Sequence, residues 1–480
     1  MTLRPGTAPS RAAAVSLVLA LCLAACGGSD DGDGAGGIGR APRPVPEAGV
    51  QVGEETDESV IRAASTPVLA ANPKDARNFV VGHRVELPAY SCVVAASFDA
   101  GATWATTTPA LPAGTERCYS TSLGFDGSGV LHLAFVTLAG AGNVPSAVWL
   151  TRSADGGRTF DPPRRVLDAQ KFMVRLVVDP TTSPARLYLS WVEGSGVGFL
   201  QMVPPARVMM RVSTDGGLTF GDPVQVSGTS RDRIGAAVPA LAGDGSVTVV
   251  YFDYRRDAFD FQNVEGRYDG TFELVAATSR DGGATFSETT VDPAVVPPEP
   301  FLVFLPPLPA VAAEHDGTVH VAWSDRRSGT PAILLSTSRD AGTTWQPPRR
   351  VDAGGGAALL PQLGLGPDGR LDVVYAQVED AEGGPTRIRF TASTDGGRTF
   401  GPAAPLNQPF LRAWLPVSPR EAAGAGPDLG SALGLISLAD GAYVAWPDTR
   451  LGGLQTRRTD IVGAPVKVTA DGAARRLPDA

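Results

Sequence analysis

Six copies of one eight-residue pattern, Ser-x-Asp-x-Gly-x-Thr-Trp/Phe, recur along this 480-residue chain. They begin at Ser97, Ser153, Ser213, Ser279, Ser338 and Ser393, with 55 to 66 residues between successive starts. A near-constant period of this size restricts the chain to a repeat architecture. Each copy sits between apolar, β-rich runs and reads as a hairpin turn. In such a turn Asp99, Asp155, Asp215, Asp281, Asp340 and Asp395 accept backbone N–H bonds, and the serine does so more weakly. The glycine supplies a positive φ, and the closing aromatic is expected to plug the core of its own sheet.

A second repeat runs in phase with the first. Short apolar strands upstream of the turns align at Phe135, Trp191, Tyr251, Trp323, Tyr375 and Trp446, with Gly82 at the equivalent place in the first unit. That makes seven units. The last, around Ala442 to Val466, has the strand but not the turn motif. Small four-stranded sheets arranged radially fit this period. The fold expected is all-β: one β-propeller over residues 58–468 with seven blades, six being the alternative. A segment near Val50 to Ile61 is expected to add a strand to the last blade and close the ring. With strands A to D running from inside to outside, the motif is the C–D turn. The B–C and D–A connections then share the opposite end, the top face.

The first 26 residues read as a targeting segment. Arg4 and Arg11 precede an apolar run, and Leu23-Ala24-Ala25-Cys26 resembles a bacterial lipobox, which makes Cys26 the lipid-bearing residue. An ordinary secretory signal is the other reading. Residues 27–57 are rich in Gly, Asp and Pro and read as a flexible tether; 469–480 read as a tail. The expected address is export, with a lipid anchor in the bacterial cell envelope. Gly27 and Gly28 after the cysteine point to the outer membrane where the host has two. In that oxidising setting Cys92 and Cys118 pair as a disulfide or lie as two buried thiols. A net charge of −9 and a pI near 5.1 argue against nucleic acid as partner. No zinc spacing, phosphate loop or dinucleotide fingerprint is present in the sequence, so neither metal nor cofactor is expected.

The residues after the aligned aromatics enter the top-face loops. They read Tyr251-Phe252-Asp253-Tyr254-Arg255-Arg256, Trp323-Ser324-Asp325-Arg326-Arg327 and Trp446-Pro447-Asp448-Thr449-Arg450. Glu193, Gln377 and Arg84 occupy the Asp position in three other units. One reading is an anion site: Arg84, Arg255, Arg256, Arg326, Arg327 and Arg450, with Asp325 and Asp448, ring the channel and grip a carboxylate. Asp253 and Glu193 then serve as acid and base, and Tyr254 as nucleophile. The other reading is that Asp-x-Arg is a repeated structural pair. Three stretched connections also fall on this face: Asp257 to Thr271 with Phe259, Phe261 and Tyr268; Pro293 to Pro309 with Phe301 and Phe304; and Pro402 to Gly430 with Phe410, Arg412, Trp414 and Arg420. Insertions in repeat proteins collect on the binding face, so these read as ligand walls. His132 and His320 occupy equivalent strand positions and read as packing residues.

The turn motif resembles the Asp-box, or bacterial neuraminidase repeat, of the sialidase superfamily, over most of residues 67 to 466. The resemblance implies a propeller in which the Asp-box is structural and lies away from the catalytic face. It also implies removal of terminal sialic acid with retention, by three Arg on the sugar carboxylate, a Tyr–Glu nucleophile pair and an Asp acid/base. Catalytic members carry an Arg-Ile-Pro motif before the first Asp-box; here that region reads Val60-Ile61-Arg62-Ala63-Ala64. Two functions are carried forward. One is a cell-surface sialidase-like propeller that binds, and in its enzymatic form hydrolyses, acidic glycans. The other is a non-catalytic propeller that binds carbohydrate or a surface protein. A monomer is expected in either case.

Overall fold

The B strands of the repeat are predominantly apolar, and Val247–Asp253, Val319–Asp325, Leu371–Val378 and Gly441–Asp448 are buried at every residue. A strand packed on both faces has no solvent side and needs no polar alternation. A radial array meets that condition, because each blade is sandwiched between two others. The outermost strands face water on one edge and shrink to two residues in blades one, three and five.

The computed structural model describes residues 43–46, 49–52, 62–86, 89–140, 144–194, 205–258, 269–298, 307–379, 385–411, 429–450, 452, 456 and 458–469. The chain enters through β1 (Arg43–Pro46) and β2 (Val50–Gln51). Blade one is β3 (Ala64–Asn72), β4 (Asp75–Val85), β5 (Ser91–Ser97) and β6 (Ala105–Thr106). Blade two is β7 (Arg117–Phe125), β8 (Leu131–Ala139), β9 (Val144–Ser153) and β10 (Arg164–Leu167). Blade three is β11 (Lys171–Asp179), β12 (Arg186–Glu193), β13 (Arg207–Ser213) and β14 (Val224–Gln225). Blade four is β15 (Ile234–Leu241), β16 (Val247–Asp253), β17 (Phe272–Ser279) and β18 (Ser287–Val295). Blade five is β19 (Ala310–Ala313), β20 (Val319–Asp325), β21 (Ala332–Ser338) and β22 (Arg349–Arg350). Blade six is β23 (Ala357–Leu365), β24 (Leu371–Val378), β25 (Pro385–Ser393) and β26 (Ala404–Pro405), with β27 (Phe410–Leu411) also on β25. Blade seven is β28 (Gly434–Leu438), β29 (Gly441–Asp448) and β30 (Asp460–Thr469). All pairings within the blades are antiparallel, and the inner strands neighbour one another in the cycle β3, β7, β11, β15, β19, β23, β28 and back to β3. The fold is a seven-bladed β-propeller, not a six-bladed one.

Ring closure explains the missing seventh motif. The outer edge of β30 pairs with β1 (Arg43 opposite Thr469) and with β2 (Val50 opposite Gly463). Blade seven takes its outer strand from the N-terminal side of the chain, so it has no C–D hairpin to carry an Asp-box. The closing strand at Val50 lies where expected, but it starts earlier: Arg43–Pro46 and Val50–Gln51 fall inside the stretch read as tether and are strands instead. Cys26, the targeting segment and the tail beyond Thr469, which itself ends β30, lie outside the described residues.

The six Asp-boxes share one geometry. In blade two the Ser153 hydroxyl donates to Asp155 at 2.7 Å and accepts the Gly157 N–H at 2.8 Å. Thr159 donates to the same carboxylate through its N–H at 2.9 Å and its hydroxyl at 2.6 Å. Gly157 sits at φ +93°, and a Cβ there would lie 2.9 Å from Val80 of blade one. The closing aromatics correct one expectation: they pack between their own blade and the preceding one rather than within their own sheet. Trp104 donates its indole N–H to the Tyr443 hydroxyl of blade seven at 3.2 Å, and Trp345 to Thr289 of blade four at 2.9 Å. The box is thus a latch between blades. Cys92 on β5 and Cys118 on β7 form a disulfide across blades one and two, with 5.3 Å between their Cα atoms. Cys118 lies in the first strand of blade two.

Candidate functional site

Antiparallel blades place every B–C and D–A connection at the rim opposite the Asp-boxes. The inner strands carry strain there. Thr66, Met173, Ala236 and Leu360 have φ between 50 and 68°, near the top of β3, β11, β15 and β23, and each lies at a shift in β-register. Side chains at positive φ are costly, and such bulges recur beside functional sites.

The three Asp-x-Arg runs adopt one local structure. Asp253, Asp325 and Asp448 each accept the N–H of the arginine two residues on, at 3.0, 2.7 and 2.8 Å. Each carboxylate also pairs with that arginine's guanidinium, at 2.7 Å for Arg255, 2.5 Å for Arg327 and 3.1 Å for Arg450. The aspartates are buried, whereas the arginine side chains stay 39, 37 and 40% exposed. In blades five and seven the indoles of Trp323 and Trp446 donate to the same carboxylates, at 3.3 and 3.0 Å. The arginines also tie neighbouring segments together. Arg255 donates to the Ser230 carbonyl at 2.9 Å, Arg327 to Asp292 of blade four at 2.8 Å, and Arg450 to the Gly49 carbonyl at 3.3 Å. Arg256 and Arg326 donate to the carbonyls of Pro293 and Pro297, both at 2.7 Å. Arg84 is buried, bound to Glu86 at 2.6 Å, and lies 4.7 Å from the Tyr119 ring centroid. Each of the ligand-grip arginines is therefore part of a strut of its own.

The proposed catalytic residues are each buried or engaged elsewhere. Tyr254 shares a strand face with Phe252 and is fully buried, its ring 4.4 Å from that of Phe272. Burial, then Asp257 and Asp253, pushes its phenol upward, which is the wrong direction for a nucleophile. Glu193 sits one blade away on β12, paired with Lys171. Asp253 is held by Arg231 at 2.5 Å as well as by Arg255. Arg231, in the connection from blade three to blade four, is the residue the sequence reading missed. It also binds Glu273 at 2.9 Å and Glu288 at 3.1 Å, and Glu288 in turn accepts the Tyr251 hydroxyl. The Arg231 hydrogen bonds hold the Glu273 carboxyl down to about 2. This network does contain a tyrosine–glutamate pair, but Tyr251 is buried and its phenol is pushed up by burial and by Glu288.

Among the stretched connections, Phe410 is buried between blades six and seven and is no ligand wall. Phe259, Phe261, Tyr268, Phe301, Phe304, Arg412, Trp414 and Arg420 lie outside the described residues. His132 and His320 are packed and bonded to Asp126 at 3.1 Å and Glu314 at 2.6 Å, as expected of structural residues. Among the described residues no group of three or more His, Cys, Asp or Glu side chains is placed to hold a metal. A cavity of about 400 Å³ opens between blades two and three, lined by Arg165, Asp168, Lys171, Trp191, Glu193 and Arg211 among others.

Solved structures of similar shape include a protein of unknown function from Dyadobacter fermentans DSM 18053, at 13% identity and TM-score 0.48, covering 89% of this chain and 99% of that one. Another is an α-L-arabinanase of Penicillium chrysogenum complexed with arabinobiose, at 17% identity and TM-score 0.46, covering 72 and 98%. A third is an ulvan lyase of polysaccharide lyase family PL25, at 11% identity and TM-score 0.49, covering 86 and 95%. No curated protein matches the chain. The model of the BNR repeat-like domain matches residues 206–445, half of the sequence. With its Asp-boxes, latches and seven-membered ring, the chain belongs to the BNR repeat-like domain family.

Proposed function

We propose that this propeller is a recognition module for acidic glycans, held at the bacterial cell envelope through a lipid on Cys26, and that it does not hydrolyse them. The observation that carries this reading is the state of the top-face arginines. Arg255, Arg327 and Arg450 are oriented by buried aspartates yet remain more than a third exposed. A guanidinium has five donors in a fixed fork. The aspartate and the second acceptors at Ser230, Asp292 and Gly49 take only part of each fork, and the remaining N–H groups of these exposed side chains can donate to a carboxylate or hydroxyl of a ligand. Sites spread over blades four, five and seven suit an extended chain rather than one terminal sugar. The net charge of −9 opposes such a partner only weakly, since charges beyond about 8 Å are screened at physiological salt. Hydrolysis is disfavoured because Tyr254 and Tyr251 are buried with raised phenol values, and because the acid/base candidates are already engaged, Asp253 by Arg231 and Arg255 and Glu193 by Lys171. A surface protein bearing acidic side chains is the alternative partner.

The test is a panel of sialylated, uronic-acid and neutral glycans probed with the purified propeller, with a fluorogenic sialoside assayed alongside. Binding confined to acidic glycans, without turnover, is expected. Turnover, or binding indifferent to glycan charge, refutes the reading.

A further inference from the structure

In blades five and seven the buried tryptophan of strand B donates its indole N–H to the aspartate two residues on. Blade three has Trp191 at that position but Glu193 in place of the aspartate. The longer side chain turns away to Lys171. Trp191 is 2% exposed, and its indole N–H meets no acceptor among the described residues. A buried donor without an acceptor is unfavourable, and a ligand that supplies the acceptor relieves it.

A second anomaly faces the same space. Register places Arg211 on β13 opposite Leu189, and in the other blades the corresponding residues are Ala95, Thr151, Ala277, Ser336 and Thr391. Blade three alone of these carries a long cation. Arg211 donates one N–H to the Val166 carbonyl of blade two at 3.2 Å, and its buried Nε finds no acceptor among the described residues. Both residues line the cavity of about 400 Å³ between blades two and three, with the two donor atoms buried in its wall. That volume lies within the range of about 300–1,000 Å³ typical of small-ligand sites. The other charges at its wall are matched, Arg165 with Asp168 at 3.1 Å and Lys171 with Glu193, and among the described residues Arg211 pairs with no carboxylate.

We infer that this cleft is a binding site for a ligand carboxylate, which takes on Trp191 the place that the Asp325 and Asp448 carboxylates hold on Trp323 and Trp446, with Arg211 as counter-charge. A uronate is the fitting small ligand: one carboxylate for the two inner donors, and hydroxyls for the polar mouth. The inference rests on the recognition reading only for its choice of a sugar acid.

The test is isothermal titration calorimetry of the full chain with sodium glucuronate and, as neutral control, glucose. Three variants are compared, each checked for an unchanged melting profile. Trp191→Phe removes the N–H and keeps the ring. Arg211→Thr restores what blades two and six carry. Glu193→Asp supplies the shorter acid of blades five and seven, so that the protein fills its own site. Glucuronate is expected to bind the wild type and glucose not to; at least a tenfold loss of affinity is expected in each variant. No binding of glucuronate, or binding unchanged in Trp191→Phe and Arg211→Thr, overturns the inference. An acidic polysaccharide that binds all variants equally removes this cleft but leaves the recognition reading standing. Glucuronate binding without any acidic-glycan binding does the reverse.

Discussion

Replacing Asp325 with alanine separates the strut from the ligand grip. The carboxylate is 1% exposed and accepts the Arg327 N–H at 2.7 Å, the Arg327 guanidinium at 2.5 Å and the Trp323 indole at 3.3 Å. Breaking a buried ion pair by removing one member costs about 3–5 kcal/mol when the other is stranded. Here the cation is not stranded: Arg327 is 37% exposed and keeps Asp292 at 2.8 Å. Its share therefore falls towards the ~0–1 kcal/mol of a surface pair. What remains is the buried indole N–H and one backbone N–H, each worth about 1–3 kcal/mol when left without an acceptor. Because the indole bond is long and the backbone group can reach water, the expected total is about 2–4 kcal/mol. Arg327→Ala acts from the other side, leaving a buried carboxylate with neutral donors only. The double variant should then cost less than the sum of the two single changes. Urea unfolding followed by tryptophan fluorescence and by circular dichroism measures all three. A stability for Asp325→Ala within about 0.5 kcal/mol of wild type, the range of an ordinary surface change, refutes the strut account of every Asp-x-Arg run.

Arg231→Ala removes the cation that Asp253, Glu273 and Glu288 share and brings three carboxylates together without it, and should destabilise by about 3–5 kcal/mol in the same urea assay; a loss below about 1 kcal/mol contradicts the network. Acid should act through two groups. His83 is fully buried and held down to about 3, first by burial and then by Arg62, so the unfolded chain alone takes up its proton as pH falls from about 6.5 to 3 and stability declines over that window. His83→Gln should flatten that limb in thermal melts; an unchanged slope refutes the assignment. The Asp-box carboxyls of Asp215 and Asp340 lie near 2, lowered by the hydroxyls of Thr219 and Thr344 and then by backbone N–H groups. Their contribution is whole above the ordinary carboxylate range and is lost as pH falls from about 4 through 2, so Asp215→Asn should blunt the melting change there. Converting Cys92 and Cys118 to serine should lower stability by about 2–4 kcal/mol under oxidising conditions and change nothing under reducing ones.

The sequence disclosed the fold almost completely, because a propeller is built from local units. A turn that needs Ser, Asp, Gly and Thr at fixed offsets shows itself six times, and strand parity then assigns every connection to a rim. The closing strand Arg43–Pro46 was hidden, since two prolines and few apolar residues read as tether until pairing with β30 supplied the context. The site was less legible. Arg231 reaches partners 22, 42 and 57 residues away, and nothing in local spacing announces that convergence. Tyr254 was misplaced by ignoring parity: it lies two residues after Phe252 and shares its core-facing side, whereas Asp253 and Arg255 share the other. The cleft between blades two and three did leave a signal. Aligning the C strands shows Arg211 where other units have Ala, Ser or Thr, and aligning the B strands shows Glu193 where Asp is the rule after Trp.

Ligand-observed NMR on one sample tests recognition without chemistry most directly. Defined sialyl and uronyl oligosaccharides are mixed with the purified propeller and followed by saturation transfer while their anomeric region is monitored over a day. The account predicts saturation transfer to the acidic oligosaccharides, none to neutral ones, and no new anomeric or unsaturated-sugar signals. Appearance of such signals, at a rate that scales with protein concentration, contradicts it, and so does the absence of saturation transfer to every acidic sugar.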